Sequence, residues 1–135
     1  MRDGGQSMVE LALCAPIVAL LAIGAAALAQ VADARAGLDA ATQAAASAAA
    51  RAPDPSSAQL AAQAQFAGVV AAYPLSGCTL RLDLGRFVRT GVVHVASRGS
   101  VGLAWASLLP FPSQLDLEAS AAADIESYRT RAPIP

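Results

Sequence analysis

The sequence predicts an α+β chain carried on a membrane-spanning N-terminal helix. Three observations lead there. The run Leu11 to Ala32 contains no charged residue. The polar residues Arg35, Asp39, Gln43, Ser47 and Arg51 then recur at every fourth position, as on one stripe of a helix. From Cys78 onward the period of the apolar residues changes to two, as in strands. The expected order is a long helix, a short second helix and a three-stranded antiparallel sheet.

Composition sets the frame. At 135 residues the chain is about one domain long. Charged residues make up 14 % of it, against ~25 % in an ordinary soluble domain. The apolar share is 56 % and the mean hydropathy +0.49. Alanine alone accounts for 35 residues, so much of that apolar content is small side chain. The net charge of −1 argues against broad electrostatic binding to nucleic acid or anionic lipid.

A spanning helix needs about 20 apolar residues, and Leu11 to Ala32 supplies one crossing. Pro16 removes one backbone bond in its first half and predicts a kink there, which membrane helices tolerate. Arg2, offset by Asp3, precedes the run, and Asp33, Arg35 and Asp39 follow it. The positive-inside rule then favours a cytoplasmic N-terminus. Glu10 abuts the run directly. An ionisable group at the border of a bilayer is a functional candidate, although a carboxylate also suits the positive end of a helix. A second processing signal is present: Ala27-Leu28-Ala29 before Gln30 has the A-x-A form of a secretory cleavage site.

Beyond the run the helix is expected to continue, from about Gln6 to Arg51, ~69 Å at 1.5 Å per residue. Alanine between the polar positions either lets a neighbour approach closely or simply favours helix. Pro53-Asp54-Pro55-Ser56-Ser57 breaks the helix, with Asp54 a good N-cap and Pro55 suited to the first position of the next one. That helix should reach about Tyr73, before Pro74, and bury Phe66, Val69, Val70 and Tyr73. Three strands should follow. Leu80, Leu82 and Leu84 alternate in the first, and Val93 and Val95 in the second, with His94 opposite. Leu115, Leu117, Ala119, Ala121, Ala123 and Ile125 alternate in the last. One sheet face should be wet and the other should lie on the second helix. Val101 to Pro112, with Trp105, Leu108, Leu109 and Phe111, is compatible with a strand, a helical turn or a loop.

The segment Gly5-Gln6-Ser7-Met8-Val9-Glu10, continuing Leu11-Ala12-Leu13-Cys14-Ala15-Pro16, resembles the N-terminus of the TadE-like family of pseudopilins of tight-adherence (Flp, type IVc) pili. The resemblance implies a prepilin-type leader of residues 1–5. It implies cleavage between Gly5 and Gln6 by a membrane-embedded prepilin peptidase at the cytoplasmic face, which makes Glu10 the fifth residue of the product. It further implies that Glu10 meets the freed amine of a neighbouring subunit during assembly. A charge in lipid is tolerable when it is paired in this way. The later features Gly77-Cys78, Gly91-Val92-Val93, Leu108 to Pro112, Leu115 to Ile125 and Tyr128-Arg129 are similar to the high-GC actinobacterial variety of the family. Such relatives often carry a second Cys on the middle strand, where Ser97 looks like its counterpart here. The organisation implied is a leader 1–5, a transmembrane and stalk helix 6–52 and an extracytoplasmic α+β domain 53–135 of pilin-like fold. The chain would be a single-pass bacterial membrane protein with the prepilin peptidase and other pilins or pseudopilins as partners, acting in pilus assembly and cell adhesion. The alternative is an extracytoplasmic binding domain that is secreted, released by cleavage after Ala29, or held in the membrane by its helix.

Chemistry points away from an enzyme. Cys14 and Cys78 are the two cysteines, one in the apolar run and one in the strand region, and His94 is the one histidine. They form neither zinc spacing nor a nucleophile–base arrangement. Cys14 is expected to be an inert buried thiol, and Cys78 to be either free, the favoured reading, or paired between chains. Arg81, Arg86, Arg89 and Arg98 could line the sheet, but Asp83 and the carboxylates of the last strand dilute them, and base-stacking aromatics are few. The expectation is no cofactor, no metal, no nucleic acid and no small-molecule substrate.

Overall fold

The computed structural model describes residues 3–88, 90–103, 106, 110 and 112–125. It contains α1 (Asp3–Arg51), α2 (Pro55–Val70), β1 (Ser76–Asp83), β2 (Val92–Gly102) and β3 (Gln114–Asp124). The three strands form one antiparallel sheet in the order β1-β2-β3. The architecture is α+β, as the change of period from 3.6 to 2 predicts. Two compact units, Met1–Ala32 and Asp33–Pro135, divide the chain. α1 supplies helix to both and runs through Pro16 as one element.

In the second unit the sheet has a dry inner face and a wet outer one. Leu80 lies opposite Ser97 and Leu82 opposite Val95. On the other side of β2, Val95 lies opposite Ala121, Ser97 opposite Ala119 and Gly99 opposite Leu117. Val93, Val95 and Val101 are fully buried. The outer rows carry Arg81 and Asp83 on β1, His94 and Arg98 on β2, and Asp116, Glu118 and Asp124 on β3, all exposed. The Arg98–Glu118 pair at 2.8 Å is exposed on both sides, a kind of pair that contributes little to stability.

The inner face does not rest on α2 alone, as the sequence led us to expect. α1 shares it. Thr42 of α1 is hydrogen-bonded to Ser97 of β2, and Leu38 lies beside Gly99. Ala34, Leu38, Ala41, Thr42, Ala45 and Ala49 are all 0 % exposed, while Asp39, Gln43, Ser47 and Arg51 stay on the wet side. Four of those six residues are alanine, so the buried side of this half of α1 is built mostly from short side chains. Gly37 lies on the same side. The Tyr73 ring occupies the place where a Cβ of residue 37 would stand.

Asp54 caps α2 by accepting from the Ser57 amide at 2.8 Å. α2 ends at Val70 and not Tyr73. The chain tightens into a turn in which Tyr73 N–H donates to the Val70 carbonyl, consistent with the restriction Pro74 places on the residue before it. The buried stripe of α2 is Ala58, Ala62 and Phe66, with Val69, Val70 and Tyr73 only half-buried. β1 starts earlier than its leucine alternation, at Ser76, with an irregularity between Ser76 and Thr79 where Gly77 adopts φ +60. β2 takes in Val101 and Gly102, and Leu103 N–H closes the connection to β3 on the Ser113 carbonyl. Ala106 is buried in a short turn after Leu103. Arg89, Trp105, Leu108, Leu109, Phe111 and the Tyr128-Arg129 pair lie outside the described residues.

Candidate functional site

The candidate site is the N-terminal part of α1, and its geometry follows from composition. Gly4 and Gly5 fall in the first turns of the helix, with open space around each Cα. Glycine in a helix is less stable than alanine by ~0.5–1 kcal/mol, so this turn is the easiest part of α1 to unwind. Gln6 and Glu10 are one turn apart and share a helix face. Glu10 is exposed, and it is the one charged residue between Asp3 and Asp33. Around it Met8, Leu11 and Leu13 are 75 %, 72 % and 66 % exposed. Ile17, Val18, Leu20, Leu21 and Leu28 continue the apolar surface. These side chains point in all directions about the axis. A helix apolar all round is matched to lipid or to other apolar helices and not to water. α1 is long and apolar enough to cross a membrane.

Residues 5–51 match the family model of TadE-like proteins. The match starts at Gly5 and ends at Arg51, the last residue of α1. The TadE-like segment thus contains Gly5, Gln6, Glu10, the whole apolar run and the alanine face on which the sheet packs. No curated protein and no solved structure matches the chain. A single long apolar N-terminal helix in a TadE-like segment fits a single-pass membrane anchor.

The other residues singled out from the sequence fall into place separately. Cys14 lies on the exposed surface of α1 and not in a protein core; any burial it has comes from lipid or a neighbouring helix. Cys78 is a free, half-buried thiol, and burial raises its pKa, which suppresses the nucleophilic thiolate. Its neighbour is Gly99, whose Cβ would stand 3.1 Å from the Cys78 Sγ. Position 99 and not 97 therefore faces Cys78, because register sets Ser97 opposite Leu80. His94 lies opposite Asp83 on the wet face. Among the described residues no three His, Cys, Asp or Glu side chains converge on a metal position. Arg81 and Arg98 share the outer face with Glu118 and Ser120 along a shallow depression, and Arg86 sits in the loop after β1.

Two contacts escaped the sequence reading. Thr42 bonds to Ser97, and Tyr73 stacks on Gly37. Each had a faint signal. Thr42 and Gly37 interrupt an alanine-rich stripe, and Ser97 occupies an inward position of a strand that reads Val-x-Val-x-Ser.

Proposed function

We propose that this protein is a membrane-anchored pseudopilin or minor pilin that takes part in assembling tight-adherence (type IVc) pili. The observation that carries the proposal is the TadE-like match beginning at Gly5, five residues before a carboxylate that borders an apolar helix. In this reading a prepilin peptidase cuts between Gly5 and Gln6 on the cytoplasmic side. Residues 1–5 are the leader, 6–52 the transmembrane and stalk helix, and 53–135 lie outside the cytoplasm. The helix-weakening Gly4-Gly5 pair supports the cut, since a peptidase requires an extended backbone. Without the leader the helix begins one turn before Glu10, with a free amine at its head. Glu10 then pairs with the amine of an adjacent pilin or pseudopilin, and each charge offsets the cost of the other in lipid. The role is structural and not catalytic.

The mature N-terminus tests the proposal. Intact-mass and N-terminal analysis of the membrane fraction should give a chain starting at Gln6. A chain starting at Gln30 would instead establish the secretory alternative, in which Ala27-Leu28-Ala29 is the processing site.

A further inference from the structure

Thr42 and Ser97 are the two buried polar side chains among the described residues, 0 % and 3 % exposed, and the core around them is built from Ala, Leu and Val. Donor accounting orients their bonds. A threonine hydroxyl has one hydrogen to give. Thr42 Oγ1 is 2.6 Å from the Leu38 carbonyl oxygen and 2.6 Å from Ser97 Oγ. A carbonyl only accepts, so the Thr42 hydrogen goes to Leu38 and Ser97 donates to Thr42. Thr42 is engaged twice and Ser97 once.

The surroundings give this pair its significance. The C-terminal part of the buried stripe of α1 is nearly self-similar, with Ala41, Ala45 and Ala49 repeating along it, whereas Gly37 and Leu38 mark its earlier part. A slide of one turn, 5.4 Å, would set alanine where alanine stood within that C-terminal part, while Gly37 would leave the Tyr73 ring and Leu38 would leave Gly99. Contacts between methyl groups and the sheet therefore discriminate weakly between seatings. The hydroxyl pair discriminates strongly. One turn away from Thr42 stand Leu38 and Ala46, and neither side chain can accept from Ser97. We infer that the Thr42–Ser97 hydroxyl pair is a register lock: beside Gly37 and Leu38 it specifies the seating of the alanine-rich part of α1 on the middle strand, and it adds little net stability of its own. The Gly37–Tyr73 contact fastens α1 to the segment ahead of β1, whereas the lock fastens it to β2. The inference is independent of the pilus reading. Its physical basis is the asymmetry of buried hydrogen bonds. Removing one partner leaves a buried polar group unsatisfied, while replacing both by apolar groups is nearly neutral. Single buried polar residues fix register in coiled coils by the same logic.

The test uses the full chain in detergent micelles and four proteins: wild type, Ser97→Ala, Thr42→Val and the double variant. Hydrogen exchange at the β2 amides reads stability. Thr42→Val, which strands Ser97, should lower protection on the order of tenfold. Ser97→Ala, which leaves Thr42 bonded to Leu38, should lower it less, and the double variant should return close to wild type. NMR relaxation dispersion at Leu38, Val95 and Gly99 reads register. It should be flat in wild type and appear in the double variant, where alternative seatings exchange. A Thr42→Val protein no less protected than Ser97→Ala would overturn the donor assignment. A double variant with flat dispersion would overturn the lock.

Discussion

At the scale of single residues, two glycines in helices make opposite predictions. Tyr73 fills the Cβ position of Gly37, whereas the corresponding space at Gly68 in α2 is open. Gly37→Ala must displace the ring, and overpacking of this kind costs ~1–3 kcal/mol. That should exceed the ~1 kcal/mol by which alanine favours helix. Gly68→Ala gains the propensity alone. Thermal unfolding should show the first variant less stable than wild type and the second more stable. Asp54 makes a prediction about pH. Hydrogen bonds from the Ser56 hydroxyl, the Ser57 amide and the Ser57 hydroxyl hold its carboxyl down to about 2. An unfolded aspartate titrates near ~3.9. Because the folded value is depressed, the cap's contribution is fully present above about pH 4 and is lost as pH falls toward 2. Asp54→Ala should therefore melt below wild type at neutral pH, and the gap should narrow across that window. A gap that stays constant down to pH 2 would show that the carboxylate's charge is not what stabilises the cap.

At the scale of elements, the strands were the most legible part of the sequence. Leu115 to Ile125 alternates, and β3 runs Gln114–Asp124 with Leu117 and Ala119 buried. The reason is that a strand exposes its period in every second residue. α1 was legible as a helix but not in its packing. Alanine occupies its wet and dry faces alike, so only the polar stripe from Arg35 to Arg51 marked a face, and the partner of the other face was assigned to α2. Tertiary contact decided that point: the sheet lies on α1 as well. The candidate site is a local pattern, since Gly5, Gln6 and Glu10 lie within six residues of one another. The Thr42–Ser97 bond joins positions 55 residues apart, and no period in the sequence encodes it. Packing and not a disulfide should hold these elements together. Leu117→Ala should cost ~2–5 kcal/mol, as for other buried leucines. Cys78→Ser should leave the midpoint of unfolding almost unchanged, with or without reductant. A reductant-sensitive wild type would point instead to a disulfide between chains.

At the scale of the whole molecule, the proposed function turns on one charge. Glu10→Gln keeps the length and apolar character of the helix and removes the carboxylate. The variant should reach the membrane as wild type does and lose co-purification with other pilus components. Undiminished co-purification would remove charge pairing from the assembly mechanism. The anchor also changes the setting in which the sheet must behave well. On the proposed function, chains tethered by α1 would be confined to a plane, where the effective concentration of one head near another is high. An open edge strand is a hazard under those conditions, because its free amides and carbonyls template pairing. Among the described residues β3 is such an edge, and its outer row carries Asp116, Glu118 and Asp124. Two copies of β3 meeting antiparallel about Ser120 would set Asp116 against Asp124 twice over. Like charges directly opposite each other oppose such a pairing. The acids that dilute the arginines on the wet face thus also oppose the pairing of two β3 edges in that register.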